Sequence, residues 1–259
     1  MPTTNNSKKR KMKTRIITLL IAITVVIGGA NAQKYIQIYK SGKIVLSECV
    51  LEIDSIKFID DPYTGHEYVD LGLPSGIKWA TCNVGATTPE EYGDYFAWGE
   101  TEPKDNYSLT TYKYCNGSSS TMTKYCTSSS YGTVDNKTEL ELEDDAAHVN
   151  WGGNWRMPTK AEQDELRNTS NCTWTWTTQN GVKGYKVTSK KNGNYIFLPA
   201  AGYRLDGNLS SAGSYGYYWS SSLSTSYGND AYYVNFNSSF VYLSSYYRCN
   251  GHSVRAVCE

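Results

Sequence analysis

The sequence has almost no net charge, few histidines and no long apolar run. Its 25 basic and 25 acidic residues cancel, so nothing in its charge points to a nucleic acid or an acidic surface as partner. The three histidines, His66, His148 and His252, are scattered. Neither a His-Glu-x-x-His helix nor a Gly-x-Ser-x-Gly elbow occurs, which removes two common hydrolase signatures. The seven cysteines include no Cys-x-x-Cys pair, so no structural zinc site and no other metal site or cofactor is expected. The apolar stretch Ile16 to Ile27 is too short for a comfortable membrane span. Phenylalanine is scarce as well, at 5 residues against 23 tyrosines.

What is present begins with an export pattern. A basic segment, Lys8 to Arg15, precedes the apolar stretch, and Ala30-Asn31-Ala32 gives a small-x-small cleavage signal. Residues 1–32 are therefore expected to be a signal peptide, started at Met1 or Met12. The mature chain is expected to be exported to the periplasm, cell surface or medium, without spanning the membrane. Export permits disulfides, and an odd cysteine count leaves one thiol over. Cys115 and Cys126 form the best local pair, as a loop staple.

A chain of 259 residues holds one large domain or two small ones. Residues 33–62 read as a small β-module or stalk: Tyr35–Tyr39 and Ile44–Leu46 around a Ser41-Gly42 turn, then alternating Leu51–Phe58. Tyr68–Leu73 and Ile77–Val84 flank Pro74-Ser75-Gly76 as a hairpin. The polar segment 101–138 reads as a long surface loop. Leu140–Trp151 fits a short helix stopped by Gly152-Gly153. The next helix start is the clearest in the chain. Pro158 blocks entry from the left, and Thr159 with Glu162 makes a capping box. Short strands on Gly, Asn and Ser turns fill residues 174–258. Two helices among such strands predict an α+β domain.

Several stretches, in order, resemble one family. They are Tyr68-Val69-Asp70-Leu71-Gly72-Leu73-Pro74-Ser75-Gly76 with Trp79-Ala80-Thr81-Cys82-Asn83-Val84, Trp155-Arg156-Met157-Pro158-Thr159, Phe197-Leu198-Pro199-Ala200-Ala201-Gly202-Tyr203-Arg204, Tyr218-Trp219-Ser220-Ser221 and Ser253-Val254-Arg255. Together they resemble the Fibrobacter succinogenes major paralogous (FISUMP) domain over about residues 66–259. The resemblance implies a C-type lectin-like fold over residues 63–259, related to formylglycine-generating enzymes, with Trp155 and Trp219 structural. It implies no established activity. The formylglycine-generating relatives use two C-terminal cysteines with copper, and Cys249 and Cys258 stand in that region without the relatives' motif. The glutamates and asparagines of calcium-dependent lectins have no counterpart: Glu102-Pro103-Lys104 and Gly228-Asn229-Asp230 depart from those patterns.

The candidate binding surface comes from strand alternation. Val234 and Phe236 mark a core face, which turns Tyr233 and Asn235 outward, and Val241 and Leu243 leave Tyr242 opposite. With Tyr215, Tyr227, Asn229, Tyr246 and Tyr247 these form a Tyr/Ser/Asn surface able to stack on sugars or grip a protein. A merely soluble β-surface stays open beside it. So do a related oxidase, a structural cell-surface protein and a retroelement-diversified variable protein. The expected function is non-catalytic recognition or adhesion toward an unknown glycan or protein. The acidic run Glu139, Glu141, Glu143, Asp144, Asp145 reads as a solvated helix start or, alternatively, a hard-cation site.

Overall fold

The computed structural model describes residues 21–22, 34–40, 43–50 and 65–259. The chain divides into two compact units, Met1–Ile59 and Asp60–Glu259. In the first, β1 (Ile21–Ala22), β2 (Lys34–Lys40) and β3 (Lys43–Val50) form an antiparallel sheet in that order. The third strand expected over 51–58, and the expected leader apart from β1, lie outside the described residues.

The second unit opens with the hairpin β4 (Tyr68–Asp70) and β5 (Lys78–Ala80), in register Tyr68↔Ala80. Its turn is closed by the Gly76 N–H donating to Leu73 O at 2.9 Å, with Gly76 at φ +77°. The segment 101–138 is not the surface loop the sequence suggested. Its Tyr107, Tyr112, Tyr114, Met122 and Tyr125 are all buried. Each ring finds a use for its hydroxyl: Tyr112 donates to Trp98 O at 2.7 Å, and Tyr107 donates to Tyr95 O at 2.5 Å. Polar composition misled here because a tyrosine can be core and hydrogen-bonded at once.

Two short helices follow. A 3₁₀ turn, Leu142–Asp144, leads into α1 (Ala146–Trp151). Asp145 caps α1 by accepting from the N–H groups of Ala147 at 2.9 Å and His148 at 3.0 Å, and its other oxygen accepts from Met157 N at 2.8 Å. In α2 (Lys160–Arg167) both halves of the Thr159/Glu162 capping box are formed. Arg156 donates two hydrogen bonds to Glu162, at 2.8 and 2.6 Å, fixing the approach to the helix.

The remainder is antiparallel strand. β6 (Cys172–Gln179), β7 (Val182–Ser189) and β8 (Tyr195–Pro199) make a meander. Its first turn uses Asn180 and Gly181, both at positive φ. β9 (Tyr203–Leu205) and β10 (Asn208–Ser210) form a hairpin. β11 (Gly216–Leu223), β12 (Asp230–Asn237) and β13 (Phe240–Tyr247) make a second meander, and β14 (Val257–Cys258) pairs with β5.

The expected α+β C-type lectin-like fold is therefore corrected. Strands far outnumber the two helices of six and eight residues, and the unit is β-dominated, built from small antiparallel sheets. Part of the discrepancy lies in the acidic run. Leu140–Trp151 is not one helix, because Asp145 leaves the helical region to cap and Asp144 turns inward to bind Lys124.

Two apolar clusters sandwich the β11–β12–β13 sheet. Tyr218, Val234 and Phe236 join one with Trp79, Leu166 and Leu198; Trp219, Ala231 and Tyr233 join the other with Trp98 and Trp155. The helix α2 is pinned to this sheet by Gln163, whose Nε2 donates to Tyr218 O at 2.9 Å and Trp219 O at 3.0 Å. Trp155 and Trp219 are fully buried.

Candidate ligand-binding site

Because successive residues of a strand point to opposite faces, one face of the second meander carries Tyr217, Asn235 and Tyr242 in one cross-strand row, and Trp219, Tyr233 and Ser244 in the next. The C-terminal segment returns across the end of this face. Its Gly251 pairs with Arg204 and its His252 with Phe96. Only glycine fits at 251, since a Cβ there would come within 2.6 Å of the Tyr107 ring.

Between these pieces lies a cavity of about 180 Å³. Tyr203 and Leu205 enter it from β9, Tyr217 from β11, Tyr233 and Asn235 from β12, Tyr246 from β13, and Asn250 and His252 from the returning segment. The rings meet at mixed angles: Tyr203 to Tyr217 at 62° and 4.9 Å, Tyr233 to His252 at 65° and 4.9 Å, and Tyr217 to Tyr233 at 32° and 5.8 Å. His252 lies flat on Trp219 at 3.9 Å.

No lining residue carries a charge near neutral pH. Burial pushes the His252 imidazole down to about 3 and the Tyr217 hydroxyl up to about 12. Three buried atoms of lining residues, Asn235 Oδ1, Asn250 Nδ2 and His252 Nδ1, have no hydrogen-bond partner among the described residues, and none of the three presents surface to the cavity. Buried polar groups are rarely left so, because each orphan costs about 1–3 kcal/mol.

The structure brings Tyr233, Asn235 and Tyr246 together here, but Tyr233 is buried at 6% exposure, not outward-facing. The alternation was read correctly and the face was misjudged, because β12 has a core on both sides. Tyr242 is exposed beside the cavity and stacks on Phe240 at 4.7 Å; Tyr215, half-buried, lies 6.1 Å from Tyr217. Tyr247 pairs with Asp230 and so falls on the alternate face. Tyr227 is exposed on the turn before β12, away from the cavity lining. Asn229 is buried, not exposed as expected. Tyr203, Leu205, Tyr217, Asn250 and His252 were missed. Counting back by two from Trp219 would have reached Tyr217; the other four come from other segments.

The other candidate groups resolve differently. Cys82, Cys115, Cys126, Cys172, Cys249 and Cys258 are free, and the expected Cys115–Cys126 staple is not formed. Cys115 Sγ donates to Leu109 O at 2.9 Å and Cys126 Sγ to Ser128 O at 3.1 Å. Burial raises the thiols of Cys249 and Cys258 to about 11, the reverse of an activated thiolate. Carboxylates of Glu141, Glu143 and Asp144 do converge within 4.8 Å. The Lys124 ammonium already sits among them, 2.5 Å from Glu141 and 2.6 Å from Asp144. Burial would raise the Asp144 carboxyl, but hydrogen bonds from Lys124, Tyr114, Tyr125 and Lys113 bring it down to about 2. Among the described residues no helix is long and apolar enough to cross a membrane.

A family model described as a domain of unknown function (DUF8237) matches residues 174–257. That match spans every residue of the tyrosine-lined cavity. No curated protein and no solved structure matches the chain.

Proposed function

We propose that the chain is an exported, non-catalytic recognition or adhesion protein that holds its ligand, a glycan or a protein, in the cavity between Tyr217, Tyr233 and Tyr246. The observation that carries this reading is the cavity itself, about 180 Å³ between strands β9, β11, β12 and β13, walled by Tyr203, Tyr217, Tyr233 and Tyr246 with the amides of Asn235 and Asn250 among them. Apolar walls with a few convergent polar groups are the usual make-up of a binding site. Acid–base work near neutral pH is ill served there, because burial holds His252 at about 3. Export is supported by the basic, apolar and small-residue succession through Ala32. The motifs from Tyr68 to Arg255 support membership of the FISUMP family.

A glycan array and a pull-down with the full chain test this reading. Ligands captured by the wild type should be lost by Tyr246→Ser and Asn235→Leu and kept by Tyr247→Ser. A ligand held equally by all four proteins would contradict it.

A further inference from the structure

We infer that the cavity takes the methylated ammonium of a partner protein's lysine side chain. The inference rests on the reading of this cavity as the binding site and names the part of the ligand that enters it.

The first observation is where the chain's own cations sit. A cation gains from the face of an aromatic ring within about 6 Å, and this chain uses that contact widely. Lys104 Nζ stands 5.6 Å from the centre of the Tyr107 ring, Lys113 4.7 Å from Tyr114, Lys124 4.9 Å from Tyr125 and Lys160 5.1 Å from Tyr232. Among the described residues no Lys or Arg stands over Tyr203, Tyr217, Tyr233 or Tyr246.

The second is the field at the cavity. The lining holds no Lys or Arg, and burial keeps His252 neutral, so no lining residue repels a cation. Burial raises the Tyr233 hydroxyl, and the Asp230 carboxylate, outside the lining, adds to the rise. A negative charge that reaches Tyr233 also favours a positive one beside it.

The third selects the kind of cation. Each of the lysines named above also holds a carboxylate: Glu100 for Lys104 at 2.7 Å, Asp144 for Lys113 at 3.2 Å and for Lys124 at 2.6 Å, and Asp164 for Lys160 at 3.4 Å. The cavity offers rings without a carboxylate in its lining. A plain ammonium entering it would leave N–H donors unmatched. Methylation removes those donors, keeps the charge and puts methyl groups against the rings.

The fourth is size and surroundings. The cavity measures about 180 Å³, below the range of about 300–1,000 Å³ for drug-sized ligands. It admits the head of a side chain and not a whole ligand. Leu205 and Tyr246, 40% and 48% exposed, leave apolar surface for the aliphatic stem of the lysine. A phosphocholine would bring its phosphate to the same place, where no Lys or Arg lines the cavity to receive it.

The experiment is NMR or calorimetric titration of the full chain with N-acetyl-trimethyllysine amide. Three comparators are titrated beside it: the unmethylated lysine amide, the carbon isostere with a tert-butyl group in place of the trimethylammonium, and phosphocholine. The trimethyllysine amide should bind with a Kd on the order of 1 mM, and each comparator about tenfold more weakly or not at all. Tyr246→Leu, which keeps bulk and removes the ring, should weaken it about tenfold, while Tyr246→Phe should stay within about twofold. Tyr227→Leu, away from the lining, should change nothing. Tyr246 is half-exposed, so its variants do not put the fold at risk. An isostere that binds as tightly overturns the cation, and an unmethylated lysine that does so overturns the methyl groups. Phosphocholine binding with the trimethyllysine amide silent overturns the protein side chain as the source. Every probe silent, with captured ligands still lost by Tyr246→Ser, overturns the inference and leaves the recognition reading standing. Captured ligands that ignore both Tyr246→Ser and Asn235→Leu bring down both.

Discussion

His252 lies flat on Trp219, and no carboxylate lines its cavity, so a proton on its ring is disfavoured in the folded chain. Its pKa falls to about 3 by burial, against about 6.5 when unfolded. Between those values the unfolded chain binds a proton that the folded chain refuses, so stability is lost as pH falls from about 6.5 toward 3. Asp230 works the other way. Burial raises it to about 6, so its contribution is complete below the unfolded carboxyl value and is lost as pH rises through 6. Urea midpoints measured across pH 4 to 7 for the wild type and His252→Phe cancel the Asp230 effect, which both share. The variant should lose less stability on acidification; parallel curves would contradict this. Asn235→Leu removes an orphaned oxygen, so it should leave stability unchanged or raise it by up to about 1 kcal/mol while weakening ligand binding. Thermal melts beside the pull-down check that opposition. Strand alternation made Asn235 legible in the sequence. Asn250 and His252 were not, because no local period reports which strand a returning segment will cross.

The two helix starts show how local a signal must be to be read. The Thr159/Glu162 box spans four residues, was visible at once, and is formed. The Asp145 cap was invisible because one of its three donors, Met157 N, lies twelve residues on. Their weights should differ accordingly. Thr159→Ala should cost about 1 kcal/mol. Asp145→Ala leaves three N–H groups without their acceptor, two of them in the buried interior, and should cost about 3 kcal/mol. Urea unfolding of both variants checks the order, and an Asp145→Ala cost at or below that of Thr159→Ala would contradict it. The segment 101–138 is the opposite case. Its Ser, Thr and Asn content hid a set of buried tyrosines whose hydroxyls bind backbone carbonyls and Asp144.

At the scale of the molecule, the hairpins and their turns were readable because Asn180-Gly181 and Pro74-Ser75-Gly76 dictate chain reversal. The balance of strand over helix was not, since it depends on which short apolar segments pair. Nor was the double-sided sheet, which turned Tyr233 inward. The unit also holds together without covalent help. Mass mapping under non-reducing conditions should find no bridge among Cys82, Cys115, Cys126, Cys172, Cys249 and Cys258, and dithiothreitol should leave Tm unchanged. A drop of several degrees on reduction would contradict the free thiols. The central claim concerns one cavity on one face of one sheet. Its most direct test is NMR of the full chain with labelled tyrosine and histidine rings, titrated with whichever ligand the array yields. The account predicts shifts at His252, Tyr217, Tyr233 and Tyr246, with Tyr195 and Tyr227 still; shifts confined to Tyr195 or Tyr227, with His252 unmoved, would contradict it.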